Sequence, residues 1–347
     1  MYNISNMEKN NQQNNAENQL FSVDDLDNKI ISALDSDART PLEKIAKNLK
    51  ISRQTVDYRL KKLKREGIFL GDLVIFDTGI LGYGWYRILI RLLNVSKTQK
   101  NEFLDFLAKH PQTTWLGEVG GRWDIVVNLA CTSPINFNSV YEEISVKFGH
   151  LIKAVEVLVY LDTYDYSRSY LDVKEFKTNE FFHRMDKDNS FKISKLDKLI
   201  IKSIKKDACF SYSELGKKLE VSRNTIKQRI KKLMQKKVIL GFRSFINLQK
   251  LGYQSNMLFL QINCLDRERE TELYYYLKML PEVTFVVKHI GEWQIGMEIE
   301  TKTALEFHNI LITLRSQFSD LISDYETFPL IKDHCIDYFP DGVLEKL

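Results

Sequence analysis

The spacing of apolar residues predicts a chain that changes from helical to strand-like structure. Between residues 23 and 67, apolar positions recur every three or four residues in three short stretches, the pattern of amphipathic helices. Past Gly71, β-branched, aromatic and aliphatic residues concentrate in segments that follow the order strand, helix, strand, strand, helix, strand up to residue 161. The predicted fold class is therefore α+β, a helix-turn-helix followed by a ferredoxin-like βαββαβ domain.

The whole pattern recurs 170 residues further along the chain, without a gap. Leu26-Asp27-x-x-Ile30-Ile31 returns as Leu196-Asp197-x-x-Ile200-Ile201, and Leu81-Gly82-Tyr83 returns as Leu251-Gly252-Tyr253. The period is too long for a solenoid, whose repeats are typically about 20–50 residues. A tandem duplication of one two-domain unit is predicted. We call the two halves copy one and copy two.

The repeat divides the chain into six predicted segments. The N-terminal tail is rich in Asn and Gln, and it is expected to be disordered because it cannot bury enough apolar surface to offset its ordering entropy. A polar, charged segment joins the copies. The segments are 1–22 (disordered tail), 23–72 (helix-turn-helix 1), 73–165 (ferredoxin-like domain 1), 166–192 (linker), 193–242 (helix-turn-helix 2) and 243–347 (ferredoxin-like domain 2).

Composition narrows the class of protein but names no partner. Hydrophobic residues make up 44% and charged residues 28% of the chain, as in ordinary globular domains. No apolar run approaches the ~20 residues of a membrane helix, and no secretory signal is visible, so a cytoplasmic protein is expected. The four cysteines form no CxxC pair, and we expect no zinc site, disulfide framework or cofactor.

The distribution of charge, unlike its total, points to a partner. The net charge is +4, yet residues 52–66 sum to +4 and residues 222–237 to +7, so the remainder is acidic. A basic third helix behind a capping serine is typical of helix-turn-helix units that bind double-stranded DNA through base edges and phosphates. The predicted DNA contacts are Arg53, Gln54, Asp57, Tyr58, Lys61, Lys62, Arg223, Asn224, Lys227, Gln228, Lys231 and Lys232.

Two alternatives stay open for these helices. A charged helix face can simply be solvated, although its occurrence twice, in register with an apolar stripe, argues against that interpretation. Arg59 and Arg229 lie beside the apolar stripe, and each either contacts DNA or braces its domain.

The motifs resemble the Lrp/AsnC (feast/famine) family of transcription regulators. The resemblance rests on Leu-Asp-x-x-Ile-Ile, on the helix Ser-x-x-Thr-Val/Ile-x-x-Arg-Leu/Ile-x-x-Leu, and on the later Leu-Gly-Tyr and Gly-x-Trp-Asp, and it covers nearly all of both copies. It implies a sequence-specific DNA-binding regulator, not an enzyme, with a winged helix-turn-helix and a ferredoxin-like effector and dimerisation domain. Because family members usually carry one such unit, two units imply an intramolecular pseudo-dimer or a homo-oligomer.

The resemblance also implies an amino acid or similar small effector bound near a Gly-x-x-Asp loop. Gly120, Gly121 and Asp124 match that motif in copy one, whereas Gln294 replaces the Asp in copy two. We hypothesise that copy two has lost or changed effector recognition, since an amide holds an ammonium group less well than a carboxylate. Alternatively, the glycines form a hairpin turn and Asp124 pairs locally.

An enzymatic alternative is a sirohaem decarboxylase-like protein. Those enzymes resemble this fold and pair two Lrp/AsnC-like subunits, and the resemblance implies a strand motif rich in His, Arg and Tyr that holds tetrapyrrole carboxylates. The matching segments, 113–128 and 284–298, offer only Arg122 and His289. Basic third helices would have no evident use in such an enzyme, so DNA binding is the preferred interpretation.

Overall fold

The computed structural model describes residues 2–3, 20–171, 180–184, 192–205, 207–263 and 266–346, and the predicted order of elements occurs in it twice. Copy one contains α1 (Asp25–Ser36), α2 (Leu42–Leu49), α3 (Arg53–Arg65), β2 (Phe69–Phe76), β3 (Gly84–Leu92), α4 (Lys97–Lys109), β4 (Thr113–Val119), β5 (Ile125–Cys131), α5 (Pro134–Phe148) and β6 (Ile152–Asp165). Copy two contains α6 (Lys195–Ile204), α7 (Tyr212–Lys218), α8 (Arg223–Gln235), β8 (Ile239–Ile246), β9 (Gln254–Ile262), α9 (Arg267–Met279), β10 (Val283–Ile290), β11 (Ile295–Thr301), α10 (Ala304–Gln317) and β12 (Ile322–Ile336). Three further elements are β1 (Tyr2–Asn3), β7 (Phe181–Arg184) and α11 (Asp341–Glu345). The fold class is α+β, as the sequence predicts.

The strands of the two ferredoxin-like halves close into one ring. Copy one contributes the order β4-β5-β3-β6 and copy two the order β10-β11-β9-β12, and these quartets join through β6–β10 and β12–β4. Strands β6 and β12, of 14 and 15 residues, are long enough to pair with their own copy first and then with the other. Helices α4 and α5 cover the outer face of one quartet, and α9 and α10 cover the other. The two copies are thus paired within one chain.

Each helix-turn-helix core is completed by the other copy. Strand β2 pairs antiparallel with β8, its own counterpart, rather than with a strand of the same unit. As a result, Ile246 and Leu251 of copy two are buried in the core under α1–α3, while Val74 and Phe76 of copy one are buried in the core under α6–α8. Burial of apolar side chains is the main driving force of folding, so this exchange ties the two units together.

The predicted segment boundaries need correction in three places. The boundaries at 72/73 and 242/243 fall inside β2 and β8, because strands that pair between copies belong to no single-copy domain. The predicted linker 166–192 contains β7, which extends the ring by pairing with β6. In the predicted disordered tail, Tyr2–Asn3 pair with β12, since backbone hydrogen bonds alone can complete a strand edge. Residues 4–19 lie outside the described residues, so disorder there stays a prediction.

Candidate nucleic-acid interface and central cavity

The third helix of each helix-turn-helix, α3 or α8, begins at the same cap and buries the same face. The Ser52 hydroxyl accepts a hydrogen bond from the Thr55 amide at 3.0 Å, and Ser222 does the same for Thr225 at 3.0 Å. Such a side-chain cap satisfies one of the free amides at a helix start. The predicted apolar stripe is buried on α8 and, apart from the half-buried Leu60, also on α3, and the opposite face of each helix is open to solvent.

The structure places all twelve predicted DNA-contacting residues on these open faces, ten of them exposed. Asp57 and Lys62 of α3 are half-buried. Tyr58 is a large aromatic side chain at 68% exposure, which a purely structural role would not favour. The residues at the helix starts, Arg53 and Gln54 with their counterparts Arg223 and Asn224, are those that reach base edges in helix-turn-helix complexes.

The two helices differ in how their charges are compensated. On α3, Arg53 lies 2.7 Å from a carboxylate oxygen of Glu43, and Lys61 lies 2.7 Å from Asp57. On α8, Arg223, Lys227, Lys231 and Lys232 have no carboxylate within ion-pairing distance among the residues that the structure describes. The surface of α8 is therefore the stronger of the two attractors for phosphate.

Arg59 and Arg229 each form ion pairs that brace their domains, as one of the two interpretations predicts. Arg59 bonds to Asp24 and, at 3.0 Å, to the buried Asp27, while the Nε of Arg229 donates to the buried Asp197 at 2.7 Å. The hydrogen bond from Arg59 lowers the pKa of Asp24. Burial alone would raise the pKa of Asp197, but the bonds from Arg229 and Ser194 outweigh it and lower that pKa. Each arginine thus ties a third helix to the first helix of its unit.

The Gly-x-x-Asp loop of copy one makes local contacts. A carboxylate oxygen of Asp124 accepts a hydrogen bond from the Leu92 amide at 2.8 Å, and Gly121 has a φ of +97°, which favours glycine. The amide of Gly120 donates to the carbonyl of Pro329 on β12, at 3.0 Å. Gln294 of copy two accepts in the same way from the Ile262 amide, at 2.8 Å. The Asp and the Gln therefore hold the end of β3 or β9 in equivalent ways.

A cavity of about 850 Å³, which the sequence motifs do not predict, lies between the β2–β8 ribbon and the strand ring. Its walls include Trp85, Arg87, Trp115 and Glu298. The sequence does hold a signal for it, because Arg87 interrupts an otherwise apolar strand from Trp85 to Ile90. Neither Arg122 nor His289, the residues available for tetrapyrrole binding, lines this cavity.

Within the described ranges, no helix is long and apolar enough to cross a membrane. The same residues contain no group of three or more His, Cys, Asp or Glu side chains arranged to hold a metal ion.

Both helix-turn-helix units match models of known DNA-binding domains. Residues 23–64 match the model of the AsnC-type helix-turn-helix domain, and residues 193–239 match that of a winged helix-turn-helix DNA-binding domain. The regulatory protein AsnC of Haemophilus influenzae is 30% identical over 146 residues, which are 41% of this chain and 96% of that protein. The chain belongs to the Lrp/AsnC family.

Further similarities agree with a duplicated member of this family. The HTH-type transcriptional regulator FL11 of Pyrococcus horikoshii is 29% identical over 117 residues, 34% of this chain and 76% of the relative. Such relatives thus correspond to one unit of this Lrp/AsnC chain, which has two. The crystal structure of the siroheme decarboxylase NirDL superimposes with a TM-score of 0.60 over 93% of this chain and 97% of that one, at 14% identity. At that identity, the likeness shows the shared fold alone.

Proposed function

We propose that this protein is a sequence-specific DNA-binding transcriptional regulator in which two unlike recognition helices act from one chain. The observation that carries the proposal is the pair of exposed, basic third helices, each capped and packed in the same way. Relatives of single-unit length are named transcriptional regulators, which supports it. Lysine and arginine side chains without acidic partners are the groups that release counterions from the DNA backbone on binding.

The paired copies imply an asymmetric operator. The residues on the open faces differ between the helices: Gln54, Asp57 and Tyr58 on α3 correspond to Asn224, Lys227 and Gln228 on α8. Dimeric helix-turn-helix proteins favour palindromes because their two helices are identical. Here the two helices of one chain present different side chains to the two half-sites, so we expect the half-sites to differ.

The test is DNA affinity measured against salt concentration for the full chain. Fluorescence anisotropy with a labelled duplex selected from a random pool should give a linear fall of log Kobs with log salt. Substituting Lys231→Ala and Lys232→Ala should reduce that slope by about two. The double variant Lys97→Ala, Lys153→Ala removes two exposed lysines of the ferredoxin-like half and should leave the slope unchanged. A DNA-binding constant that does not change with salt concentration, or equal slopes for both double variants, would contradict the proposal.

An amino acid or similar small effector is proposed to act at Gly120, Gly121 and Asp124. The hydrogen bond from the Leu92 amide occupies one lone pair of the Asp124 carboxylate and leaves others for a ligand ammonium group. The same bond equally supports the hairpin-turn interpretation. Calorimetric titration of the full chain with each of the twenty amino acids, repeated on Asp124→Asn, separates the two. A ligand whose affinity does not change in the variant would exclude Asp124 from the site.

A second candidate function is binding of a tetrapyrrole, and the central cavity is the observation that favours it. NirDL has been solved with an iron-uroporphyrin III analogue. Against this candidate, Arg122 and His289 lie outside the cavity walls, and carboxyl groups line it. Addition of uroporphyrin III should leave its Soret absorbance unchanged if the chain is a regulator of the proposed kind. A saturable Soret shift would support the second candidate.

A further inference from the structure

The central cavity contains an arginine without an acidic partner. Arg87 on β3 is 3% exposed and lines the cavity, and its Nε donates to the Asn128 side chain at 3.0 Å. In the described part of the chain, no carboxylate lies within 4.0 Å of its guanidinium, whereas the nearby Arg168 and Arg243 both have carboxylate partners. Burial lowers the pKa of Arg87 by more than the nearby Tyr160 hydroxyl and Glu298 carboxyl group raise it. A buried charge without a carboxylate in direct contact is costly, so an anion in the cavity would stabilise it.

The walls near Arg87 are flat and held in place. The indole nitrogen of Trp85 donates to the Thr78 hydroxyl at 2.8 Å, and that of Trp115 donates to Asp333 at 2.8 Å. The Arg87 guanidinium lies 5.8 Å from the Trp115 ring centroid. Because these bonds fix the orientation of both indoles, a planar apolar molecule can pack against them with little rearrangement.

The duplication shows that the fold does not need arginine at this position. The counterparts of Arg87 and Asn128 in copy two are Met257 and Glu298, which line the same cavity. Met257 lies opposite Glu298 in the β9–β11 register just as Arg87 lies opposite Asn128 in the β3–β5 register. Since a neutral methionine fits the equivalent place, the cost of burying Arg87 points to binding rather than to folding.

Acidic groups restrict how much negative charge a ligand can carry. Glu298 and Asp333 both line the cavity, and burial raises the pKa of Glu298 to about 7 and also raises that of Asp333. Arg168 and Arg243, which also line the cavity, already have carboxylate partners, so a second carboxylate on the ligand would find both arginines paired and would lie near Glu298 and Asp333. The cavity therefore suits one negative charge, at Arg87, on an otherwise apolar body.

We propose that the central cavity binds flat, apolar monocarboxylic acids, with the carboxylate on the Arg87 guanidinium and the ring system against Trp85 and Trp115. None of Gly120, Gly121 and Asp124 lines this cavity, so the site is separate from the effector loop. Binding here requires no DNA, and its failure would leave the proposed regulator function untouched.

The test is titration of the full chain with 1-pyrenebutyrate and with the neutral 1-pyrenebutanol, followed by fluorescence. The wild-type protein should bind the acid at one saturable site, and at least about tenfold more tightly than the alcohol, because a charge-assisted hydrogen bond is lost with the carboxylate. Arg87→Met introduces the residue of copy two. It should weaken binding of the acid by at least about tenfold, without weakening binding of the alcohol. The matched control is Arg91→Met, an exposed arginine on the same strand.

Several results would overturn the proposal. They are equal affinity of the acid and the alcohol for the wild type, equal affinity of wild type and Arg87→Met for the acid, and no saturable binding of the acid at millimolar concentration. A thermal melt of each variant shows whether it is folded. If Arg87→Met melts at a lower temperature than the wild type, Arg87→Lys is used instead, because it keeps the positive charge. If Arg87→Lys binds the acid no more tightly than the alcohol, that result also contradicts the proposal.

Discussion

The two recognition helices share a frame and differ in what they present. Helices α3 and α8 have the same Ser cap, a similar buried stripe and the same arginine brace to the first helix of their unit. On their exposed faces, α3 pairs its cations with Glu43 and Asp57, while Lys227 stands on α8 where Asp57 stands on α3. The contacts that fold the unit are thus the same in the two copies, whereas the residues proposed to meet DNA differ.

The ferredoxin-like halves show a related divergence, because one ion pair is present in both with its charges exchanged. Lys100 of α4 lies 2.6 Å from Glu118 of β4. At the equivalent positions, Glu270 of α9 pairs with Lys288 of β10. The pairing survives reversal because it depends on opposite charges at two neighbouring positions and not on which element carries which sign.

The largest expected contrast is in DNA affinity. Lys231→Ala with Lys232→Ala should weaken binding on the order of 10- to 100-fold near physiological salt, since two phosphate contacts are lost. Lys61→Ala with Lys62→Ala should weaken it less, because Asp57 already compensates Lys61. Anisotropy titrations on one duplex at one salt concentration measure both. Equal losses of affinity would show that the different charge compensation on the two helices has no effect on binding.

Next in size is the loss of stability when a brace is cut. Arg229→Ala and Arg59→Ala should each lower the free energy of unfolding by about 2 kcal/mol, because a buried aspartate loses its charged partner. Urea denaturation of each variant measures this loss. If either variant instead unfolds like the wild type but loses DNA affinity, that arginine contacts DNA and does not brace the unit.

We expect the fall in the free energy of unfolding at acidic pH to depend on copy one, through Glu118 of this ion pair. Hydrogen bonds from His334 and Lys100 lower the pKa of Glu118 to about 2. Because its unfolded value is about 4.3, its contribution is present above that pH and is lost as the pH falls towards 2. Glu118→Gln should therefore flatten the fall of stability in this window, whereas the exposed Glu102→Gln on α4 should not. Urea midpoints measured at several acidic pH values make the comparison.

A smaller effect is expected where the third helices end. Gly67 has a φ of +71°, and its counterpart Lys237 has a φ of +58°, a left-handed conformation that disfavours residues with a Cβ. Lys237→Gly should raise the free energy of unfolding by about 1 kcal/mol. The reverse change, Gly67→Lys, should lower it by a similar amount. An unchanged urea midpoint in both variants would contradict this view of the helix ends.

The smallest effect is expected at the loop aspartate. Asp124 and Gln294 accept the same kind of backbone hydrogen bond. Asp124→Gln should therefore change the free energy of unfolding by no more than about 0.5 kcal/mol. Asp124→Ala, which leaves the Leu92 amide without its acceptor, should lose about 1 kcal/mol. Thermal melts distinguish the two variants. A large loss in Asp124→Gln would mean that the two loops are not equivalent.

The sequence predicts the elements well because their patterns are local. Apolar residues at helical spacing identified α1–α3, and the fixed offset carried the assignment to α6–α8. The sequence could not predict that β2 pairs with β8 or that β12 pairs with β4. The alternation of apolar and polar residues within a strand does not specify which copy supplies the neighbouring strand. That pairing, in turn, creates the central cavity. Arg87 was visible as a charge in an apolar strand, but only the fold shows that it faces a space shared by both copies.

We propose that one chain presents two unlike recognition helices to one DNA site. Selection of bound sequences from a random pool, using the full wild-type chain, tests it most directly. We expect an asymmetric consensus with two different half-sites. We also expect that exchanging residues 54, 57 and 58 for those at 224, 227 and 228 makes the consensus palindromic. A true palindrome selected by the wild-type chain would contradict it, and would mean that like helices pair between chains.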